Sequence, residues 1–296
     1  MEKSKFLKFI IVILVFFLFS YFVAKNFNNI DFTDKIVFIP INGVIVSENS
    51  AGVFNENNIN SNEIINYLNR ANEDNTIKAI ILEINSPGGT VIASKEVADK
   101  VKELNKPVVA WIREVGASGA YWVASASDAI VADPLSITGS IGVIGSYLEF
   151  EGLMEKYGVK YERLVTGKYK DTGSAYKSLT EEERKILQGK LDLIHKAFSD
   201  DVSKNRKIDL SEYSNGEFFL GVEAKEIGLI DYLGGKDLAI NVSKELANIE
   251  KAKIVTFKQK KGFLSSLDKY LSKYSYIFGL GISNGFLIRD KFEINA

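Results

Sequence analysis

Three short apolar runs separated by amphipathic stretches limit what the middle of this chain can fold into. Lys78–Ile84 (KAIILEI), Pro107–Ile112 (PVVAWI) and Ala129–Ala132 read as strands, and Val91–Leu104 and the stretch from about Ser118 to Ala126 read as helices. Runs this apolar, with little alternation, suit strands buried on both faces, as in a parallel sheet with helical crossovers. The order strand–helix–strand therefore predicts an α/β fold with a largely parallel sheet. Upstream, Lys35–Val46 reads as a strand broken near Pro40 to Gly43, and Ser61–Asn72 as a helix with Ile64, Ile65 and Leu68 on one face. Downstream, Thr180–Asn205 reads as a long helix opened by a capping box of Thr180 and Glu183. Loop and short helix fill Ile208 to about Gly235, followed by a helix over Lys236–Ala247 and a strand over Ala252–Phe257.

The N-terminus has a different character. Phe6 to Ala24 (FLKFIIVILVFFLFSYFVA) is apolar apart from Lys8 and Ser20, and approaches the roughly 20 residues needed to span a bilayer core. Lys3, Lys5 and Lys8 precede it and Lys25 alone follows closely, which places the N-terminus in the cytoplasm and the rest outside the cytoplasmic membrane. A cleaved signal peptide is the rival reading, but Phe22, two before Ala24, fits a cleavage site poorly. The expected organisation is a stub and transmembrane anchor over 1–25, a linker over 26–34, a main folded domain over 35–260, and a tail over 261–296 without an assigned role.

Composition narrows the chemistry. The net charge of the 296 residues is −1, with no basic excess to recruit nucleic acid. Cys is absent, which removes disulfides, thiolate metal sites and a Cys nucleophile. His195 is the only histidine and lies in a helical stretch, KLDLIHKAF, where it reads as a surface or interface residue. A hydrolase with this composition would take its base from another residue type.

Three segments could carry chemistry. Asn85-Ser86-Pro87-Gly88-Gly89 follows an apolar strand, and such a turn lets backbone N–H groups point into a cleft and stabilise an oxyanion. Gly116-Ala117-Ser118-Gly119-Ala120-Tyr121-Trp122 puts a serine among small residues at a strand-to-helix junction, beside the free N–H groups of a helix start. Thr138-Gly139-Ser140-Ile141-Gly142-Val143 is followed by Val165-Thr166-Gly167-Lys168-Tyr169-Lys170-Asp171. Lysine serves as a general base where burial favours its neutral form. Lys168 and Lys170 would face the same way on an extended strand, so the pattern leaves the choice between them open.

Taken together, in this order and at these separations, NSPGG, GASGAYW, TGSIGV and TGKYKD resemble the signal peptide peptidase A family of Ser-Lys peptidases. The resemblance runs from about Lys35 to Leu246 and includes GEFFLGVEA and GLID at Gly216 and Gly228, where it is structural. It implies a fold like those of the Clp protease and the crotonases, built of repeated ββα units. It also implies Ser118 as nucleophile, Lys170 as general base, Ser140 as the serine that orients the lysine, and the N–H groups of Gly89 and Gly119 as the oxyanion hole. No metal or cofactor is implied. Substrates would be signal peptides and other apolar unfolded segments. The active form would be a homo-oligomer enclosing the site, and in short members catalytic groups from adjacent subunits meet there. One departure is Ala120, where many relatives carry a second Gly after the nucleophile. Rival readings are a stomatin-associated membrane protease, a crotonase-like acyl-CoA enzyme and an inactive scaffold of the same fold.

Overall fold

The computed structural model describes residue 8 and residues 13–21, 33–47 and 58–257. In chain order the domain comprises β1 (Lys35–Asn42), β2 (Val44–Val46), β3 (Asn58–Asn60), α1 (Ser61–Glu73), β4 (Ile77–Ser86), α2 (Val91–Lys102), β5 (Val108–Ala117), α3 (Gly119–Ser125), β6 (Ala129–Ala132), β7 (Ile137–Gly139) and α4 (Glu151–Lys156). It continues with α5 (Glu181–Arg206), β8 (Phe218–Leu220), α6 (Gly221–Glu226), β9 (Tyr232–Leu233), α7 (Lys236–Leu246) and β10 (Lys253–Thr256).

The main sheet has the order β10-β1-β4-β5-β6-β9, and every neighbour along that path is parallel. This is the α/β architecture that the apolar runs predict. Both faces are covered. Val37, Ile39, Ile80, Leu82 and Ala110 point into a large core shared with α1, α2, α3 and α5. The alternate residues Ile36, Phe38, Ala79, Ile81 and Val109 pack on Ala239 and Val242 of α7. Residues of both parities are buried, so these strands carry no polar face.

β5 is the strand that builds the site. Its first half, Val109–Ile112, pairs with β6, whereas its end, Val115–Ala117, pairs with β7. β7 continues antiparallel into β8. The sheet thus divides at the end of β5, which opens a crevice at the carboxyl ends of the strands, the usual ligand position in open parallel sheets.

The expected break in the first strand falls at Gly43 (φ +81), and Pro40 stays inside β1, paired with Glu83. Pro40 lies past the last β10 partner, Phe38↔Thr256, where the ladder no longer needs the N–H it lacks. β3, β7 and α4 are elements that the sequence pattern leaves out, each three to six residues long and too short to show a period. Residues 13–21 are helical and exposed. Among the described residues no helix is long and apolar enough to cross a membrane. The remainder of the expected span, most of the linker and the tail over 261–296 lie outside the described residues.

Candidate active site

Ser118 sits between the last residue of β5 and the first of α3 with φ +52 and ψ −126. A non-glycine residue in this region carries about 1–3 kcal/mol of strain and persists only where its surroundings enforce it. They do so here: its N–H donates to the Gly139 carbonyl at 2.8 Å, and its carbonyl accepts from Trp122 N–H at 3.0 Å. The sharp strand-to-helix elbow is the geometry that presents a nucleophilic hydroxyl.

The Pro-Gly-Gly turn is pressed against this elbow. Gly88 has φ +108, and a Cβ there would stand 2.8 Å from the Gly119 nitrogen. Its N–H donates to Ser86 Oγ at 3.1 Å, and its carbonyl accepts from Ile45 N–H at 2.9 Å. A Cβ on Gly119 would lie 2.2 Å from Ser94 Oγ and 3.2 Å from the Gly89 nitrogen, and one on Gly89 only 1.9 Å from the Ile45 carbonyl oxygen. Side chains are thus excluded at both positions. The N–H groups of Gly89 and Gly119 lie close together, and neither donates to an acceptor among the described residues. Two adjacent unpaired donors beside a hydroxyl form an arrangement suited to a developing oxyanion. Ala120 is fully buried in α3, and its methyl leaves the Gly119 donor in place.

Ser140 also has positive φ, +51. Its N–H donates to the Glu217 carbonyl at 2.8 Å and its Oγ to the Gly216 carbonyl at 3.4 Å. Ser118 and Ser140 line one cavity of about 500 Å3, with Val143, Ile144 and a face of α5 as its walls. That face is Gln188, Leu191, Asp192 and His195, at the i, i+3, i+4, i+7 spacing of one helix side. His195, read from the sequence as a surface or interface residue, therefore borders the serine site, with Ser199 Oγ 3.3 Å from its Nε2. The helix spacing was the available signal for it. α5 is held over α3 by Trp122, which stacks on Phe198 at 4.6 Å and donates from Nε1 to Asp201 at 3.1 Å.

Lys170 is not brought to this cavity within the chain. It is exposed, lies in a run of turns over residues 166–173, and is absent from the residues lining the Ser118 cavity. The strand that would have pointed Lys168 and Lys170 the same way does not form, because Gly167 (φ +89) and Gly173 (φ +80) bend the backbone. The flanks of Lys170 are fixed nonetheless. Lys168 and Tyr169 both contact Glu182. Asp171 accepts from Arg163, including Nη2 at 2.9 Å, and the Arg163 guanidinium holds its carboxyl far below the usual carboxylate range. Among the described residues no cluster of three or more His, Asp or Glu could hold a metal ion.

Comparison with known proteins matches this arrangement to a family. The model of peptidase family S49 covers residues 100–250, and that of the Clp protease covers residues 45–131. A Methanocaldococcus jannaschii protein that bears a protease name is 35% identical over 79% of this chain and 75% of its own length. An Enterococcus faecium protein named as a signal peptide peptidase SppA is 34% identical over 78% of this chain and 70% of its own. Protease 4 of Haemophilus influenzae is 33% identical over 73% of this chain, a stretch that makes up 35% of the longer protein. Among solved structures, a membrane-bound stomatin-specific protease bearing a lysine-to-alanine mutation, with a substrate peptide, superposes with a TM-score of 0.50 at 14% identity. The match covers 81% of this chain and 99% of that one, and marks a shared fold. The chain belongs to peptidase family S49 and is a serine peptidase.

Proposed function

We propose that this peptidase is a membrane-anchored endopeptidase that degrades signal peptides and other apolar unfolded segments with a Ser-Lys dyad. The observation that carries the reading is the strained Ser118 elbow facing the paired, unoccupied N–H groups of Gly89 and Gly119. Lys170, as the neutral amine, takes the proton from Ser118 Oγ. The oxygen attacks the peptide carbonyl, and the oxyanion rests on the two N–H groups. The ammonium of Lys170 returns the proton to the leaving amine, and water then hydrolyses the acyl-enzyme. Ser140, which lines the same cavity as Ser118, orients the amine.

Because Lys170 is outside its own chain's cavity, the reading places it in the Ser118 cavity of an adjacent copy in a homo-oligomer. The excursion that carries Lys170 exposes large apolar side chains suited to burial between copies, among them Ile144 (87% exposed), Leu148, Tyr157 and Leu164 (99%). The Lys-flanked apolar run at the N-terminus supports the anchor, and with it an extracytoplasmic catalytic domain. No cofactor takes part.

Mixing two inactive variants tests the reading. Ser118→Ala and Lys170→Ala are each expected to be inactive. Co-assembled, they are expected to recover a substantial fraction of wild-type turnover, because some sites then join an intact serine to an intact lysine. Failure to recover any turnover from mixed assemblies would reject donation of the lysine between copies. A mature N-terminus near Lys25 in the purified protein would reject the anchor.

One observation favours a second reading. His195 borders the Ser118 cavity of its own chain, whereas Lys170 does not. In a Ser-His arrangement His195→Ala would be inactive and Lys170→Ala active.

A further inference from the structure

Among the described residues the Lys170 side chain has no hydrogen-bond or ion-pair partner, whereas the side chains of the two residues on either side of it are held. The next residue, Asp171, is gripped by Arg163 and lies 3.6 Å from Lys177 Nζ. Lys177 Nζ in turn reaches Glu183 Oε1 at 2.5 Å, and Thr172 Oγ1 donates to the same oxygen at 3.2 Å. Glu183 is almost fully buried, 3% exposed, and its second oxygen closes the capping box by accepting from Thr180 N–H at 3.0 Å. On the other flank, Lys168 and Tyr169 contact Glu182. Residues on both sides of Lys170 are therefore bound to the first turn of α5, and among the described residues the Lys170 ammonium has no partner.

An ordinary cap needs none of this. A glutamate at the third helical position satisfies the helix start by itself, and a glutamine does so equally. The ion pair to Lys177, and from there to Asp171, adds nothing to the cap. What it does add is a fixed path from the helix backbone to the residue beside Lys170. A lysine side chain loses about 2 kcal/mol of rotamer entropy when held in one place. Anchoring its backbone on both sides removes the backbone share of the search, so only the side chain remains to be placed.

We propose that Glu183 and Asp171 are positioning residues for the catalytic lysine: through Lys177 they lock the Lys170 turn to the start of α5 and so set where its amine is delivered. The proposal rests on the Ser-Lys reading of the site. It also gives α5 two tasks, because the same helix walls its own chain's Ser118 cavity from Gln188 to His195, five to twelve residues beyond Glu183, or about 8 to 18 Å by helix rise.

The test uses the full-length protein in detergent and four variants. Glu183→Gln keeps the capping box and removes only the charge facing Lys177. Asp171→Asn removes the charge facing Arg163 and Lys177. Lys177→Arg keeps that cation, and Lys170→Ala is the control. Glu183→Gln and Asp171→Asn are expected to lower kcat at least tenfold, with KM within twofold and the assembly size unchanged by light scattering. Lys177→Arg is expected to retain kcat within about threefold. The inference falls if Glu183→Gln and Asp171→Asn turn over peptide at the wild-type kcat while Lys170→Ala is inactive. It also falls if their defect lies in KM or in assembly. Should Lys170→Ala itself remain active, the Ser-Lys reading fails first and takes this inference with it.

Discussion

The N–H of Ser118 donates to the carbonyl of Gly139 at 2.8 Å, so the elbow is held from the neighbouring strand β7 as well as from β5. Gly139 has φ +73, and a Cβ there would stand 2.7 Å from the Phe219 ring. Gly139→Ala therefore both strains the backbone and pushes on β8. We expect it to cost about 1–3 kcal/mol of stability and to lower kcat/KM at least tenfold. Thermal unfolding and peptide turnover measured on the same preparation check this. Undiminished kcat/KM would mean that the strand contact does not set the elbow.

Gly119→Ala probes the proposed oxyanion donors directly. Its methyl would stand 2.2 Å from Ser94 Oγ and 3.2 Å from the Gly89 nitrogen, prising the two donors apart. Removing one oxyanion donor costs about 100-fold or more in kcat. A comparable fall is expected here, with KM changing much less. Ser94 Oγ is buried without a partner among the described residues, so the double variant Gly119→Ala with Ser94→Gly opens room for the methyl and should recover part of the loss.

The lysines separate by chemistry. Lys170→Arg keeps the charge but cannot act as a neutral base, because guanidinium stays protonated, so it should be as inactive as Lys170→Ala. Lys168→Ala removes an exposed contact with Glu182, which Tyr169 also reaches, and should keep most activity. In the proposed Ser-Lys mechanism the base acts as a neutral amine, so wild-type kcat/KM should rise with pH. Activity in Lys170→Arg together with its loss in Lys168→Ala would show that the wrong lysine has been assigned.

The fold has an anchor on the sheet edge away from this chemistry. Arg206, 8% exposed at its side chain, grips both Asp231 oxygens at 2.7 and 2.9 Å, and Asp231 also accepts from Ile130 N–H at 2.7 Å. Asp231→Ala would leave a buried guanidinium unpaired, which costs about 3–5 kcal/mol. Denaturant unfolding should register that loss. An unchanged midpoint would show that the pair is replaceable by water.

The Glu183 bracket predicts an acid-sensitive segment. The contact with Lys177, followed by the Thr180 N–H, holds the Glu183 carboxyl down to about 2 from an ordinary 4.5. A carboxyl with a lowered folded pKa stabilises the fold above its unfolded value and loses that contribution as pH falls through the folded one. The bracket should thus be intact above about pH 5 and weaken between pH 4.5 and 2. Hydrogen exchange of residues 166–183, corrected for intrinsic rate, should accelerate in that window while β4 and β5 stay protected. Uniform acceleration of sheet and loop would count against a local bracket.

The parallel sheet could be read from the sequence because strands buried on both faces leave unbroken apolar runs. The capping box of α5 was readable because Thr180 and Glu183 act at fixed spacing. Ser118, Gly89 and Gly119 were singled out by the order and separation of the motifs in the family resemblance, since each small-residue turn alone also suits a tight turn or a helix cap. Other features depended on distances that no local pattern encodes. β7 is three residues long, and its part in the elbow depends on a partner 21 residues away in sequence. Helix spacing puts His195 on one side of α5 with Gln188, Leu191 and Asp192, but nothing in its neighbourhood tells that this side covers the serine, so it looked like a surface residue. Lys170 could be picked out by resemblance, which also implies that catalytic groups of adjacent subunits meet in short members, but no local pattern of residues tells that it stands apart from Ser118 within one chain.

In the proposed arrangement that separation is also a safeguard. A freshly made copy carries a strained serine and a ready pair of donors but no Lys170 within reach, and in that arrangement it would be inert toward the other chains being inserted around it. Hydrolytic power would arise only when copies meet, inside an enclosure that a folded protein cannot enter. Dilution below the assembly threshold should then act as an off switch, with no inhibitor or propeptide required.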